Sequence, residues 1–321
     1  MKKNNKQYEL PSHLQPVLKK SKKLEWITLI YICSVIILMY SVMGSSQAMK
    51  TAWIEDVLSL LPAISFLVAS NLYSKAPTNI FPYGYHRVFS IAFLTGSVAL
   101  FSMGIYLFID STHSLWVQDR PTIGAVTIFE NQFWEGWIMI AALAYSSLPS
   151  IVLGYMKQPL AKKLHNKILF IDAKTQKADY LTAFAAMIGI MGVGAGFWWA
   201  DAATALFISV SVTKDGYQNL SNAVGDLMDR RPVQVNSHKK DELVEKIAKE
   251  VESWIWVKNS RVRFREHGQV YFGEVYIIPN SNEISLPKIE EGINKIKELH
   301  WKIHDVTIMQ VSCFSPNSGS D

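Results

Sequence analysis

Residues 166–201 combine a charged first half with an apolar second half, and the charged half carries the side chains best suited to chemistry. On a helix, Asp172, Thr175 and Asp179 recur at i, i+3 and i+7, so they share one face. Carboxylates are costly in hydrocarbon, so this face should meet protein, water or a cation. One interpretation is that this face meets a cation. The alternative is that Asp172 and Lys177 are interfacial residues and that Asp179 pairs with a lysine.

A second acidic stretch, residues 53–73, begins with Glu55, Asp56 and Ser59, and Pro62 follows. Proline cannot donate a backbone hydrogen bond, so it frees the carbonyl of the residue four positions earlier. Acidic, hydroxyl and carbonyl oxygens within two turns make a suitable ligand set for a cation. The alternative is that the two acids are solvated at the outer interface, where the helix dipole favours them. We adopt that alternative for Glu55 but not for Asp56.

The elements that must position these residues are six long apolar runs. Each run is close to the roughly 20 residues that cross a bilayer as a helix. The runs are residues 26–43, 53–73, 88–109, 133–155, 180–199 and 202–221. The sequence therefore predicts an all-α membrane domain of six transmembrane helices, with the lipid bilayer as its environment.

The net charge of +5 is concentrated in particular connections between the runs. Seven lysines precede the first run, and the connections after the second and fourth runs hold further lysines and Arg87. The first two connections on the opposite side hold Lys50 and Arg120, and the short turn between the fifth and sixth runs holds no basic residue. The positive-inside rule then places both termini in the cytoplasm. We predict an integral protein of a bacterial inner or plasma membrane, and no nucleic-acid partner.

After the sixth run the chain becomes charged. Residues 239–253 and 286–299 have the periodicity of amphipathic helices, and residues 260–266, 270–278 and 303–312 read as strands, with a turn at His267-Gly268. The order αββαβ is typical of a small ferredoxin-like α+β domain. The predicted organisation is a basic cytoplasmic arm (1–24), a transmembrane domain (25–222), a linker (223–236), a cytoplasmic domain (237–314) and a tail (315–321).

Enzyme signals are missing from this sequence. It contains no recognisable nucleophile–base pair and no nucleotide-binding loop, so we predict neither catalysis nor a bound cofactor. Its two cysteines, Cys33 in an apolar run and Cys313 in the tail, argue against a disulfide framework.

Four short motifs, taken in their order and spacing, resemble the cation diffusion facilitator (cation efflux) family. They are F-P-Y-G-Y-H-R at 81–87, D-A-K-T-Q-K-A-D at 172–179, W-W-A-D at 198–201 and D-L-M-D-R-R-P at 226–232. The resemblance covers roughly residues 25–313 and agrees with six spans followed by an αββαβ tail. It implies a homodimeric exporter of a divalent metal cation, working by alternating access and driven by exchange for protons.

The resemblance also implies a transport site of four ligands, two from the second span and two from the fifth, each pair spaced i, i+4. The corresponding positions here are Asp56, Leu60, Thr175 and Asp179. The chain matches the pattern at the two aspartates. It departs at Leu60, which has no ligand atom, and at Thr175, which offers a weak neutral oxygen. With Ser59 as an auxiliary ligand, the sequence predicts a divergent member with an incomplete site.

The residue types at this site bear on which ion it takes. None of the eight histidines lies in a predicted span, so the imidazole and thiolate ligands typical of zinc are missing there. Two carboxylates with hydroxyl, carbonyl and water oxygens suit a harder ion such as Mn²⁺, Fe²⁺ or Mg²⁺ better than Zn²⁺. We predict a divalent cation as cargo, with Mn, Fe, Zn and Co as candidates. Carboxylates that bind metal only when deprotonated also allow proton exchange.

Two further expectations complete the analysis. The resemblance implies a structural ion pair on the inner face between Arg87 and Asp229, which would hold the dimer and couple the tail to the spans. The alternative function follows from the missing ligands. A member with half its ligands lost would no longer transport, and would act as a regulatory or structural partner of another membrane transporter.

Overall fold

A computed structural model describes residues 10–120, 123–128, 131–235, 239–280 and 286–314 of the 321-residue chain. Within these ranges the side chains of 126–128, 131–133, 174–175 and 177–179 are not described. The chain divides into two compact units, residues 1–224 and 225–321. The first unit is built of helices and one small hairpin, and the second of helices packed on a sheet.

Long helices make up most of the first unit. They are α1 (Gln15–Val42), α2 (Gln47–Leu58), α3 (Leu60–Leu72), α4 (Val88–Val117), α5 (Glu135–Lys163), α6 (Lys167–Gly194) and α7 (Ala200–Leu227). The hairpin β1 (Ala125–Ile128) and β2 (Asn131–Trp134) lies in the connection between α4 and α5. The last helix continues to Leu227, past the predicted end of the sixth span at 221.

Each helix start has a local cause. Pro16 lies in the first turn of α1, where its missing N–H is not needed. The side chain of Ser46 accepts a hydrogen bond from Met49 N at the start of α2, and that of Asn166 accepts one from Leu169 N at the start of α6. The second predicted span is interrupted at Ser59, between α2 and α3. Pro62 accounts for the interruption because it cannot donate to the carbonyl of Leu58.

Four of the helical segments in the described residues are long and apolar enough to cross a membrane: Gln15–Val42, Gln47–Leu72, Val88–Val117 and Glu135–Lys163. These agree with the first four predicted spans. The fifth and sixth predicted spans lie on α6 and α7. The first turns of α6 are charged, and its apolar part is the shorter segment Tyr180–Gly194. Six transmembrane spans are therefore not confirmed. That α6 and α7 cross the membrane stays a prediction.

The helices of the first unit pack around a shared apolar core. Residues of α1, α2, α5, α6 and α7 meet there, including Met39, Met49, Leu143, Ile190 and Ile208, which are fully buried or nearly so. Large apolar side chains on the outer faces are exposed instead. Examples are Ile30, Ile37, Ile109, Phe184 and Phe207. Such faces suit contact with lipid.

One carboxylate joins the start of α7 to the start of α2. Asp201 is fully buried and accepts hydrogen bonds from Ser46 Oγ (2.7 Å), Gln47 N (2.5 Å) and Ala48 N (3.3 Å). The first backbone N–H groups of α2 are thus satisfied by a side chain from another helix. This contact fixes the two helix ends together.

The second unit has the predicted αββαβ order. It contains α8 (Glu242–Glu252), β3 (Val257–His267), β4 (Val270–Pro279), α9 (Leu286–Leu299) and β5 (Ile303–Gln310). The sheet order is β3-β4-β5, with β3 antiparallel and β5 parallel to β4. The apolar face of α8, formed by Leu243, Ile247 and Val251, is buried against the sheet. The turn is Gly268-Gln269, because His267 still pairs with Val270 as the last residue of β3.

A buried polar network holds α8 to the sheet. Asp241 accepts hydrogen bonds from Leu243 N (2.9 Å), Tyr271 Oη (2.6 Å) and Lys302 Nζ (2.7 Å). Burial by itself would raise the pKa of Asp241, but these three donors hold it well below its ordinary value. Burial raises the pKa of Tyr271, so its hydroxyl stays a donor.

Candidate functional site

Asp56 lies on α2 with its carboxylate turned toward protein. The side chain is half-buried, and the hydroxyl of Ser146 on α5 lies 3.1 Å from each carboxylate oxygen. Ser146 is itself buried. A single hydroxyl proton satisfies only part of a carboxylate's acceptor capacity, so lone pairs remain for another partner.

The partner of Asp56 in this structure is neutral. Among the described residues, no lysine or arginine pairs with its carboxylate, and Ser146 is the side chain that hydrogen-bonds to it. A carboxylate inside an apolar bundle without a cationic neighbour is an expensive arrangement. The same arrangement is suited to reversible binding of a cation.

Glu55 lies inside the bundle, and its predicted place at the solvated outer interface was wrong. Its carboxylate interacts with the hydroxyl of Thr182 on α6 and lies within electrostatic range of Asp56 and of Asp215 on α7. Neighbouring residues on a helix point about 100° apart. Glu55 and Asp56 therefore have different partners, which are Thr182 of α6 and Asp215 of α7 for Glu55 and Ser146 of α5 for Asp56.

A cavity of about 60 Å³ opens beside Glu55. Its polar lining residues are Glu55, Ser59, Ser65, Ser97, Asp215 and Asn219. A space of this size is enough for water or a partly hydrated ion. The i, i+4, i+7 spacing of Glu55, Ser59 and Pro62, which all line it, was the sequence signal that could have revealed this face.

Ser59 occupies the break between α2 and α3. Its hydroxyl donates to the carbonyl oxygen of Glu55 at 3.0 Å, and its own oxygen lies along the cavity wall. Leu60, the second position of the predicted ligand pair, is the first residue of α3. The break thus presents a hydroxyl oxygen to the cavity that Glu55 also lines, whereas the expected second carboxylate is replaced by an apolar side chain.

Thr175 and Asp179 lie on α6, and their side chains fall outside the described part of the structure. Helix α6 packs against α2 and α3, so its backbone runs beside the helix that carries Asp56. Among the side chains that are described, no group of three or more histidine, cysteine, aspartate or glutamate residues is arranged to hold a metal. The predicted joint site of Asp56 and Asp179 therefore stays a prediction.

Asp172, the first acid of the charged stretch, forms an ion pair with a lysine of another helix. It is buried and lies 2.6 Å from Lys157 Nζ, which also lies 2.9 Å from Glu25. The sequence predicted an ion-facing or interfacial role for Asp172 and did not identify either partner. Residues 25, 157 and 172 lie on three helices, so no local pattern connects them.

Arg87 and Asp229 belong to different units. Arg87 immediately precedes α4. In the second unit the Asp229 carboxylate lies 3.4 Å from Arg265 and 3.5 Å from His267. Asp229 therefore has basic neighbours within its own unit. The predicted pair with Arg87 stays a prediction.

The described arrangement offers oxygen ligands only. Carboxylates of Asp56, Glu55 and Asp215 and the hydroxyl of Ser59 come from two helices and the break that follows α2. Carboxylate and hydroxyl oxygens are typical ligands of hard divalent cations. Acids placed this close can also exchange a bound cation for protons, because the ligating form is deprotonated.

Comparison with known proteins gives a consistent result. The family model described as "Cation efflux transmembrane domain" matches residues 26–228. The manganese efflux system protein MneS of Bacillus subtilis (strain 168) is 24% identical over 198 residues, which are 62% of this chain and 64% of MneS. This chain thus matches less than two thirds of the length of MneS. The uncharacterized transporter YdbO of the same organism is 23% identical over 290 residues, 87% of this chain and 90% of YdbO.

Proposed function

This chain belongs to the cation efflux family, and from that premise we propose that it exports a divalent metal cation across a lipid bilayer. The observation that carries the proposal is the Asp56 carboxylate. It faces protein within the bundle, is held by the hydroxyl of Ser146 and has no basic partner among the described residues. An acid in this setting is suited to an arriving cation.

The ion binds, in this proposal, between α2 and α6. Asp56 and Asp179 are the charged ligands, and Thr175 and Ser59 supply neutral oxygens. Glu55 and Asp215 line the adjoining cavity and add negative charge that would draw a cation inward. These roles build on the family's ligand positions and on the oxygen atoms that surround Asp56.

Mn²⁺ is our first candidate as cargo. The described ligand atoms are oxygens, which suit Mn²⁺ better than the nitrogen and sulfur ligands typical of zinc sites. The name of MneS, a manganese efflux protein with partial similarity to this chain, points the same way. Fe²⁺, Zn²⁺ and Co²⁺ are the competitors.

The transport cycle we propose is alternating access by a homodimer in the bacterial plasma membrane. Both termini are cytoplasmic, six helices cross the bilayer, and protons move inward as the cation moves out. The basic residues flanking the apolar segments support this orientation. Proton exchange is supported by the acidic groups inside the bundle, since a carboxylate can hold either a cation or a proton.

The Arg87–Asp229 pair would couple the second unit to the spans. Reversing either charge alone (Arg87→Glu or Asp229→Arg) should impair transport and dimer formation, and the double reversal should restore both. Cross-linking and flux in the same preparations measure the two effects. A double reversal as impaired as the single ones would reject the pairing.

Reconstitution tests the main proposal. Purified protein in liposomes with an imposed pH gradient is offered Mn²⁺, Fe²⁺, Zn²⁺, Co²⁺ or Cd²⁺, and metal uptake is followed. We expect saturable flux, fastest for Mn²⁺. Asp56→Ala and Asp179→Ala should each remove it, because each deletes a charged ligand.

The matched control is Asp110→Ala, which removes an acid from an ion pair with Lys50 on the same unit (3.0 Å). This variant should transport like the unmodified chain. Absence of flux for every metal in well-folded protein would contradict export and point to the regulatory or structural partner role.

A further inference from the structure

A sealed ionic cluster joins three helices of the first unit. Lys157 Nζ of α5 lies 2.9 Å from Glu25 Oε2 of α1 and 2.6 Å from Asp172 Oδ2 of α6. The side chains of Glu25 and Lys157 are 0% exposed and that of Asp172 is 2% exposed. No member of the cluster is in contact with bulk water.

The cluster is unbalanced in charge. Two carboxylates face one ammonium group, which leaves one negative charge if both acids are ionised. Gln176 adds its amide, with Nε2 3.4 Å from each oxygen of Asp172, but an amide brings no charge. A buried charge without compensation is costly, so the cluster favours uptake of one positive charge.

Two acceptor atoms in the cluster also lack a donor. Glu25 Oε1 and Gln176 Oε1 are both buried, and neither has a hydrogen-bond partner among the described residues. Buried polar atoms are nearly always satisfied, so each such exception needs an explanation. A proton on Glu25 would remove the unsatisfied acceptor at Oε1 together with the excess negative charge.

Among the side chains that the structure describes, no other charged group supplies the balance. The charges acting on Glu25 are those of Asp172 and Lys157, and the charges acting on Lys157 are those of Asp172 and Glu25. Helix α3, which packs against α1 and α6, has no charged residue. On α2, Lys50 pairs with Asp110, whereas Glu55 and Asp56 interact with Thr182 and Ser146.

The compensating charge is better supplied by a proton than by a metal. The ammonium group of Lys157 lies between the two carboxylates, where it would repel a divalent cation. A proton can still bind there, because it attaches directly to one carboxylate oxygen and needs no set of ligands around it. A plain structural role would be met by one acid and one lysine, so the second acid is the feature to explain.

We propose that this cluster is the proton-binding site of the transport cycle, with Glu25 as the group that takes up and releases the proton. The inference rests on the proposed function and adds where the exchanged proton resides. Protonation converts the Glu25 carboxylate to a neutral acid and leaves Lys157 and Asp172 as a balanced pair. Release returns the proton to water and restores the carboxylate.

Helix α6 links this site to the cation. Asp172 and Asp179 are seven residues apart on α6, a rise of about 10 Å along the axis. A cation bound at Asp179 and an extra proton in the cluster would raise the positive charge along the same helix. Binding of one therefore disfavours the other, which is the coupling that antiport needs.

The test compares two kinds of Mn²⁺ flux in proteoliposomes. Counterflow, the exchange of labelled for unlabelled Mn²⁺ at equal pH, needs no net proton movement. Uphill accumulation driven by a pH gradient does need it, and a dye inside the vesicle reports protons moved. We expect Glu25→Gln to retain counterflow and to lose both uphill accumulation and the coupled proton signal.

Asp172→Asn is the second variant. It leaves Glu25 and Lys157 as a balanced pair between α1 and α5 with no excess negative charge to take up a proton, so it should show the same loss. Asp110→Asn, in the partly exposed pair with Lys50, is the matched control and should keep both fluxes.

The outcomes are separable. Wild-type protein without counterflow of any metal refutes the proposed function itself. Wild-type transport together with unchanged uphill accumulation in Glu25→Gln overturns the proton site and leaves the transport proposal standing. Loss of counterflow in both cluster variants also overturns it, because the cluster would then serve only to hold the helices together.

Discussion

At the scale of single residues, the hydroxyl that holds Asp56 should control how well the cation is bound. Ser146→Ala removes the donor that lies 3.1 Å from both carboxylate oxygens and leaves the carboxylate free to turn. Residues that orient metal ligands typically change affinity by about 10–100-fold when removed. We expect Ser146→Ala to raise the Mn²⁺ concentration that gives half-maximal flux by about tenfold. The measurement is flux as a function of Mn²⁺ concentration.

The neighbouring serine provides the control. Ser147 is as buried as Ser146, but its hydroxyl contacts the backbone carbonyl of Ala144 at 3.5 Å. Ser147→Ala should leave Mn²⁺ half-saturation unchanged. Equal effects of the two substitutions would show that helix packing, rather than the hydrogen bond to Asp56, sets the affinity.

The acids of the first unit show how far residue types alone could locate the site. The sequence predicted an inward-facing Asp56, and the structure places that carboxylate against a buried hydroxyl. It misplaced Glu55 because an acid near a helix start is ordinarily solvated. Only the arrangement of α6 and α7 around α2 brings Thr182 and Asp215 to it. That arrangement is not encoded in local spacing.

In the second unit, Asp241 makes stability depend on pH. Its pKa is lowered on folding, so its contribution is complete above the unfolded pKa and is lost as pH falls below it, from about pH 4 downward. Asp241→Asn removes the charge that satisfies buried Lys302 and should destabilise α8 by about 2–4 kcal/mol near neutral pH. Hydrogen exchange of α8 amides in the full chain measures this opening free energy.

The difference between the two proteins should shrink progressively as pH falls below 4, because the unfolded chain then binds a proton at Asp241 that the folded chain still excludes. Glu291→Gln is the control. Glu291 pairs with Lys295 one turn away on the exposed side of α9, and its loss should cause no measurable change. A stability gap that persists unchanged in acid would contradict the assigned role of the Asp241 charge.

At the scale of elements, α4 and α7 approach so closely that glycine is required on both. A Cβ atom on Gly104 would lie 2.8 Å from the Cα of Thr213, and one on Gly216 would lie 2.6 Å from the Cα of Phe101. Because backbone would have to move, Gly104→Ala should cost about 1–3 kcal/mol. Thermal unfolding in detergent, followed by circular dichroism, measures the loss.

Gly96, two turns earlier on α4, is the matched control, since a Cβ there meets nothing within 4 Å. Gly96→Ala should be neutral or slightly stabilising because alanine favours helix. If both alanine variants unfolded at the same temperature as the unmodified chain, the close contact of α4 with α7 would be wrong.

The limits of helices and strands were more predictable from the sequence than the contacts between them. Periodicity placed both helices and all three strands of the second unit close to their observed limits, because each apolar face there is regular and complete. It missed the break at Ser59. Pro62 causes that break three residues before its own position, because it cannot donate a hydrogen bond to the carbonyl of Leu58. It also missed the partners of Asp172, since Glu25 and Lys157 are brought to it only by the packing of α1 and α5 on each other and of α5 on α6.

At the scale of the whole molecule, the open question of architecture is whether α6 and α7 cross the bilayer. Helix α6 begins with charged residues, and its uninterrupted apolar segment, Tyr180–Gly194, is short for a span. Two features offset this. Asp172 is paired with Lys157, and Glu55 is hydrogen-bonded to Thr182 within the bundle. Polar groups paired inside protein do not prevent a helix from crossing.

Labelling of introduced thiols by a membrane-impermeant maleimide decides the matter. Arg120→Cys and Phe197→Cys are each introduced into a chain whose Cys33 and Cys313 have been replaced by serine. If six helices cross the membrane, both introduced thiols should react in intact cells. Native Cys313 should react only after permeabilisation. If α6 and α7 stay on the cytoplasmic side, Phe197→Cys will behave like Cys313 while Arg120→Cys still reacts. Phe197 and Cys313 are both exposed, so access to the reagent depends on the side of the membrane.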